Sequence, residues 1–189
     1  MHTPPAFTGA KAPAIFQREI NDYLKSFPEE ISRLHDFSQA LSTCKAPEDF
    51  LSRKSLPWHI TASGIVAVAH KLLVIRHPFL GAWIPPGGHV EAAESPQQAA
   101  MRELHEETGM RGALHAWHLQ HAHPLDIDAH PIPASPHRGE PAHWHYDFRY
   151  LLQLLPHTNA GAELEYGWKS SGDILFGGIQ RLQEKLANI

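Results

Sequence analysis

Residues 88–110 read GHVEAAESPQQAAMRELHEETGM, a segment in which carboxylates, an arginine and two glycines recur at fixed intervals. These residues are Gly88, Glu94, Arg102, Glu103, Glu106, Glu107 and Gly109. A Pro-Pro-Gly-Gly turn at residues 85–88 leads into the segment. Carboxylates gathered this closely repel one another unless a cation lies among them, and oxygen ligands of this kind suit Mg2+ or Mn2+. The pattern therefore predicts a site for a hard divalent cation.

The same segment predicts a short α-helix from Pro96 to Thr108. Ser95 is a favourable N-cap, and Gln98, three residues later, completes a capping box. Proline is tolerated at the first helical position because its missing N–H would have no partner there. Gly109 stands where a left-handed C-cap is expected. We therefore expect the acidic residues to be carried by a helix that directly follows a tight turn.

The acids of this helix are expected to share one face. Glu103, Glu106 and Glu107 are spaced i, i+3 and i+4, which places them side by side. Arg102 lies beside them and can pair with one carboxylate, while Glu94 precedes the cap and can fold back toward the same cation. The alternative is a solvated acidic face. That alternative does not explain the glycine turn or the scarcity of nearby lysines.

The segment resembles the Nudix box, G-x5-E-x7-R-E-U-x-E-E-x-G-U, in which U is a bulky apolar residue. Each fixed position is matched, by Gly88, Glu94, Arg102, Glu103, Leu104, Glu106, Glu107, Gly109 and Met110. The resemblance is to bacterial Nudix proteins of unassigned substrate. It implies the Nudix α/β/α sandwich with a mixed β-sheet. It also implies hydrolysis of the diphosphate bond in a nucleoside diphosphate linked to another moiety, with Mg2+ as cofactor and Mn2+ as a substitute.

The resemblance also implies roles for residues of the box. Glu103, Glu106 and Glu107 would ligate the metal together with the backbone carbonyl of Gly88. The expected catalytic residues are Glu103, Glu107 and Arg102. Hydrolysis requires that charge on the leaving phosphate be neutralised, that a water be activated, and that the two be aligned.

The identity of the general base stays open. Glu107, Glu103 and two carboxylates outside the box, Glu163 and Glu165, are the alternatives. The substrate pocket must be built largely from other segments, and its expected phosphate or base contacts are Arg76, His89, His145 and Arg149.

Two other functions are compatible with the same fold. A Nudix-like binding or regulatory module without catalysis would be indicated by loss of box glutamates, and none is lost. A diphosphate isomerase would require a catalytic cysteine. The one cysteine, Cys44, precedes the expected domain, so this alternative is disfavoured.

Composition restricts the range of partners. The chain has 189 residues, 42% hydrophobic content and a formal net charge of −4, so wrapping of duplex nucleic acid is disfavoured. No apolar run reaches membrane-spanning length, and a single cysteine allows no intrachain disulfide. We therefore expect a cytoplasmic protein that acts on a small phosphorylated substrate, without duplex nucleic acid or membrane as a partner.

The chain is expected to have two parts. Residues 1–55 contain apolar stripes at helical spacing and predict an N-terminal helical extension. Residues 56–189 change to strand patterns and predict the Nudix domain. The stripes need partners, so we expect the extension to pack on that domain, with docking across a homodimer as the alternative.

The strand pattern after the box is less regular. Residues 113–120 predict a strand, residues 121–142 a long proline-containing connection, and residues 143–155 another strand. In this last strand His145, Asp147 and Arg149 alternate to one face. The chain has 16 histidines, many of them between residues 115 and 145. We interpret most as a wet surface or pocket lining, with extra metal or phosphate contacts as the alternative.

Overall fold

The computed structural model of this chain describes residues 12–46, 48–91, 93–136, 139–156, 161–174 and 176–189. The first 11 residues of the predicted extension lie outside this set. Within the described residues the helices are α1 (Ala12–Ser26), α2 (Ile31–Thr43), α3 (Glu48–Leu51), α4 (Pro96–Thr108) and α5 (Ile179–Leu186). The strands are β1 (Trp58–Ile65), β2 (Ala67–Val68), β3 (Lys71–Arg76), β4 (Trp83–Ile84), β5 (Gly87–His89), β6 (Gly112–Leu114), β7 (Asp126–Ile132), β8 (His143–Leu154) and β9 (Tyr166–Ser170).

The larger sheet is mixed, as predicted. Its strand order is β5-β1-β8-β6, and β7 also pairs with β8. Strands β1 and β8 run parallel, and their register places His59 opposite His145 and Ser63 opposite Arg149. The other pairs are antiparallel. Because neighbouring strands are in register, side chains of equal parity on β1 and β8 stand side by side on one face of the sheet.

Strand β7 shows that the predicted long connection over residues 121–142 was wrong. Its sequence, DIDAHPI, alternates Asp126, Asp128 and His130 with apolar residues, which is a strand pattern. Pro131 obscured that pattern, since proline lacks a donor for a ladder hydrogen bond and is confined to edge strands. Among the described strands β7 pairs with β8 alone, so proline is tolerated there.

The strand predicted over residues 113–120 is also shorter than expected. It ends at Leu114, and a 3-10 helix, Ala116–Leu119, follows it. The His115 side chain caps that helix by accepting a hydrogen bond from the Trp117 amide. Local hydrogen bonding by a histidine therefore replaces strand pairing in the second half of the segment.

The N-terminal helices cover one face of the large sheet. Phe16 of α1 and Phe37 of α2 are fully buried, and both rings meet Phe148 of β8, at centroid distances of 5.9 and 6.1 Å. Leu104 of α4 belongs to the same apolar cluster. The extension therefore shares a core with the sheet, and its division from the rest of the chain at residue 56 stays a proposal.

A second apolar cluster lies on the opposite face. It contains Ile65 of β1, Leu151 of β8 and Leu182 of α5. A smaller antiparallel sheet, in the order β2-β3-β4 with β9 paired to β3, contributes Leu72 and Val74. Helices on both faces of a mixed sheet complete the predicted α/β/α sandwich. Among the helices of the described ranges, none is both long and apolar enough to cross a membrane.

Candidate active site

Helix α4 begins and ends where its sequence predicts. The Ser95 hydroxyl accepts a hydrogen bond from the Gln98 amide at 3.2 Å, and the Gln98 side chain accepts from the Ser95 amide at 2.8 Å. Gly109 ends the helix in the left-handed conformation, with φ of 72°. These local contacts fix the helical phase and therefore the direction of the acidic face.

The glycine turn brings backbone close to that face. Strand β5 pairs with β1, with Gly88 opposite Ala62. A Cβ atom placed on Gly88 would lie 2.7 Å from the Glu103 carboxyl carbon, so only glycine leaves room for that carboxylate. At Gly87 a Cβ would meet the carbonyl oxygen of Ala62, also at 2.7 Å. The turn thus allows the sheet edge and the helix to approach closely.

Arg102 organises three of the acids, where the sequence predicted contact with one. Its Nε and one terminal nitrogen bind the two oxygens of Glu94, each at 3.0 Å. The other terminal nitrogen donates to Glu103 at 2.8 Å and to Glu106 at 2.9 Å. A further bond, 2.9 Å long, reaches the His89 carbonyl oxygen. This planar fork holds the carboxylates in defined rotamers.

Glu107 is held by the glycine turn, whereas Arg102 holds the other acids. One of its oxygens accepts a hydrogen bond from the Gly87 amide at 3.0 Å. Burial raises the pKa of Glu107 to about 8, and repulsion from Glu103, Glu163 and Glu106 contributes in the same direction. Burial also raises the pKa of Glu103, against the opposing hydrogen bond from Arg102. Both carboxylates are therefore costly to ionise without further positive charge nearby.

The donor set fits a hard divalent cation. Glu103 and Glu107 offer carboxylate oxygens beside the glycine turn, Glu106 joins them through Arg102, and the Gly88 carbonyl is a further hard oxygen donor. Oxygen-only ligands are those that Mg2+ prefers. A dication among these groups would also relieve the repulsion that raises the pKa of Glu103 and Glu107. The residues present thus agree with the predicted cofactor.

The other two candidate bases differ in position. The amide of Glu163 donates to the Glu106 carbonyl at 3.2 Å, so Glu163 lies at the end of α4, and its charge raises the pKa of Glu107. Glu165 instead faces Arg76 of β3, 3.4 Å away, in an exposed ion pair. The structure therefore places Glu163 near the acidic cluster and pairs Arg76 with Glu165.

His89 and His145 stand together on the polar face of the large sheet. Their ring centroids are 5.4 Å apart. Burial, followed by repulsion from His59 and His89, lowers the pKa of His145 to about 2, so this ring is neutral at pH 7. His89 follows Gly88 directly in β5, and its backbone carbonyl accepts a hydrogen bond from Arg102, so its main chain lies beside the acidic cluster.

The structure does not bring Arg149 into an open pocket. Its side chain is buried, and its guanidinium binds Asp126 at 3.1 Å, Asp147 at 3.0 Å and Asp128 at 3.2 Å. It also donates to the Gly177 carbonyl oxygen at 3.0 Å. With its donors directed at three carboxylates and a backbone carbonyl, Arg149 is poorly placed to receive a phosphate, in contrast to the sequence-based expectation.

Sequence reasoning missed the partners of this arginine. Asp126 and Asp128 lie in β7, the strand that was predicted as a loop. The alternation of acids in DIDAH was the available signal. Elsewhere a pocket of about 370 Å³ lies between the end of α1 and α5, and none of the predicted site residues lines it.

This chain matches a family model, the sequences of known proteins and a solved structure. A model of the NUDIX domain matches residues 57–169. A probable DHNTP pyrophosphohydrolase of Lactococcus lactis is 38% identical over 111 residues, which are 57% of this chain and 61% of that protein. An m7GpppN-mRNA hydrolase of Xenopus laevis is 36% identical over 118 residues, which are 56% of this chain and 38% of that protein. The chain thus matches less than two thirds of the length of these relatives.

A solved structure also resembles this chain. A crystal structure of a UDP-X diphosphatase superposes with a TM-score of 0.53 at 15% identity, over 85% of this chain and 84% of that chain. The superposed share exceeds residues 57–169, so the resemblance extends beyond the part that the family model matches. At this identity the similarity concerns the fold alone.

Proposed function

Because this chain belongs to the NUDIX domain family, we propose that it hydrolyses a diphosphate bond in a nucleoside diphosphate linked to another moiety. One observation carries the proposal. Glu103 and Glu107 of α4 lie against the Gly87–Gly88 turn, and Arg102 joins Glu103 to Glu106. The matched relatives support it, since one is described as a pyrophosphohydrolase and one as a hydrolase of capped mRNA.

In this proposal the metal ligands are Glu103, Glu106, Glu107 and the Gly88 carbonyl. Bound there, Mg2+ or Mn2+ would neutralise charge on the substrate phosphates. Arg102 positions Glu103 and Glu106 through its fork of hydrogen bonds. The chain thus supplies the geometry in which a diphosphate can be held.

We assign the proton acceptor for the attacking water to a carboxylate oxygen of Glu107. The Gly87 amide binds one oxygen of that carboxylate, which leaves the other oxygen for the attacking water. Glu163 is the alternative, because it lies beside Glu107 at the end of α4. Glu103 would act mainly as a ligand.

The proposed substrate pocket lies on the polar face next to β5. His89 and His145 are there and can contact a phosphate or a base by hydrogen bonding. Arg76, in its exposed pair with Glu165, can reorient toward a phosphate at the edge of the cleft. The pyrophosphohydrolase relative supports a molecule with adjacent phosphates as the substrate class.

The proposal is tested by measuring phosphate or nucleotide release from a panel of substrates with Mg2+ and with Mn2+. The panel contains nucleoside triphosphates, dinucleoside polyphosphates, nucleotide sugars and ADP-ribose. We expect metal-dependent hydrolysis of at least one class. Turnover that persists in excess chelator, or none with any member of the panel, would contradict it.

The Glu107 assignment is tested with Glu107→Gln and Glu106→Gln. Loss of a positioned base slows turnover by about 10²–10⁴-fold, and we expect Glu107→Gln to fall in that range with its fold intact. Glu106→Gln should instead raise the Mg2+ concentration needed for half-maximal turnover. Glu91→Gln, an exposed acid of the same segment, is the matched control and should keep wild-type turnover. If Glu163→Gln is inactive while Glu107→Gln is not, the base is Glu163.

A further inference from the structure

A cluster of histidines lies on the polar face of the large sheet, apart from the acidic cluster. His59 belongs to β1, and His143 and His145 belong to β8. Register places His59 opposite His145, and His143 lies two residues earlier on the same face. Gly88 is opposite Ala62, three residues along β1 from His59, so the two clusters are separated by about 10 Å along the strand.

The ring nitrogens of these three residues converge. One nitrogen from each ring can be chosen so that all three lie within 4.8 Å of one another. The Nε2 atoms of His143 and His145 are 3.1 Å apart. In a tetrahedral site with Zn–N bonds of 2.0–2.1 Å, two ligand nitrogens are separated by about 3.3 Å. One pair therefore already has the required separation, and the His59 nitrogen lies within 4.8 Å of both.

Backbone contacts set which nitrogen is free on two of the rings. His59 Nδ1 lies 3.2 Å from the Ser55 carbonyl oxygen, and His143 Nδ1 lies 2.8 Å from the Pro141 carbonyl oxygen. A carbonyl only accepts hydrogen bonds, so each Nδ1 carries the proton and each Nε2 of the neutral ring presents a lone pair. A backbone carbonyl on the far nitrogen is the usual support of a metal-binding histidine.

A second observation concerns His59 by itself. Its side chain is almost completely buried, at 1% exposure, and within the described residues its Nε2 has no hydrogen-bond partner. Leaving a buried polar atom without a partner is costly, and a bound ion at this nitrogen would supply one. This nitrogen belongs to the ring that faces His143 and His145, at centroid distances of 5.0 and 4.6 Å.

We propose that His59, His143 and His145 form a binding site for a transition-metal ion of the Zn2+ class, separate from the carboxylate site. Imidazole suits Zn2+, Cu2+, Ni2+ and Fe2+, whereas Mg2+ prefers oxygen ligands, so the two sites select different ions. Three protein ligands leave one position of a tetrahedral ion for water or for an oxygen of a bound molecule. In the metal-free protein one proton lies between His143 and His145, and binding transfers that proton to the other nitrogen of its ring or to solvent.

The site is tested by titrating tag-free, chelator-treated protein with Zn2+ in a calorimeter and with Co2+ in a spectrophotometer. We expect one equivalent of Zn2+ to bind and Co2+ to develop the intense visible bands of tetrahedral coordination. Binding should persist in Glu106→Gln/Glu107→Gln and vanish in His145→Ala. Binding lost in the glutamate variant but kept in His145→Ala would place the ion in the acidic cluster and overturn the proposal.

His130→Ala is the matched control. His130 lies opposite His145 in the register of β7 and β8 and is half-buried like it, but its Nδ1 faces Asp128 at 3.2 Å. This variant should bind Zn2+ as the wild type does. If His145→Ala does not fold, the site is tested instead by NMR of the histidine side chains in the wild-type protein. Zn2+ must shift the ring resonances of His59, His143 and His145, and unshifted resonances would refute the site.

Discussion

At Gly88 the absence of a side chain determines where one carboxylate can lie. A Cβ there would lie 2.7 Å from the carboxyl carbon of Glu103, yet that group is the far end of a flexible side chain. The collision is therefore relieved by turning Glu103 away, with little strain elsewhere in the fold. A local change at this residue should affect the proposed metal site far more than stability.

We expect Gly88→Ala to lower turnover strongly while leaving the melting temperature nearly unchanged. A displacement of about 1 Å in a catalytic arrangement can cost about 10²-fold in rate, and the added methyl displaces Glu103 by a similar distance. The control is Gly172→Ala, where a Cβ has no neighbour within 4 Å. Parallel turnover and thermal-melting measurements check this. Equal turnover in both variants would show that Glu103 does not need the space beside Gly88.

Glu19 of α1 is a buried residue whose ionised form destabilises the fold. Its side chain is 7% exposed and lies 3.4 Å from the Tyr150 hydroxyl. Burial raises the pKa of Glu19 to about 8. Because this folded-state pKa lies above that of the unfolded chain, the native state holds the proton more tightly. The stability from this group is present at low pH and is lost as pH rises from about 4.5 toward 8.

We therefore expect Glu19→Gln to change the pH dependence of stability. Glutamine resembles the protonated carboxyl but does not ionise, so the variant should gain melting temperature relative to wild type at pH 8 and little at pH 5. Thermal melts at both values of pH measure the difference, with Glu184→Gln, an exposed acid of α5, as control. A gain that is the same at pH 5 and pH 8 would show that ionisation of Glu19 is not the cause.

Among the elements, α4 was predictable to the residue and β7 was not. The ends of α4 are set by contacts within four residues, namely Ser95 with Gln98 and the left-handed Gly109, so the sequence contains them directly. Strand β7 depends on pairing with β8, and Pro131 masks its alternation. The ion pairs of Arg149 with Asp126 and Asp128 were missed for the same reason, since both aspartates come from a strand that only the fold brings close. Contacts between neighbouring residues can be predicted from the sequence, whereas the pairing of distant strands cannot.

The capping box of α4 should contribute measurably to stability. Replacing an N-cap serine by alanine costs about 1 kcal/mol, and Ser95 is fully buried, so its loss also leaves the Gln98 amide without its partner. We expect Ser95→Ala to lower the free energy of unfolding by about 1–2 kcal/mol in urea denaturation. The control is Gln97→Ala, in the same first turn of α4 but outside the capping box, and it should cost far less. Similar losses in both variants would indicate that general helix propensity matters and the cap does not.

At the scale of the whole molecule, the two ends of the chain meet at a buried network of charges. Lys185 of α5 lies 2.8 Å from Asp126 of β7 and 2.6 Å from the Tyr23 hydroxyl of α1. It also pairs with Glu30, just before α2. The proposed extension is thus joined to the rest of the protein by charge as well as by the apolar contacts of α1 and α2. Deleting residues 1–55 would remove both at once, so point substitutions are the sharper test.

We expect Lys185→Met and Glu30→Gln each to destabilise the protein, and the double variant to cost less than the sum of the two. Removing one member of a buried ion pair leaves its partner less well compensated, and removing both avoids that penalty. Because Glu30 keeps Arg33 and Asp126 keeps Arg149, each single loss should be smaller than the about 3–5 kcal/mol of an isolated buried pair. Each free energy of unfolding is measured by urea denaturation, and the double-mutant cycle gives the coupling. Strictly additive losses would mean that Lys185 acts on Asp126 and Tyr23 alone. In that case the packing of α1 and α2 and the contact of Lys185 with Tyr23, without the ionic contact to Glu30, would hold the extension on the sheet.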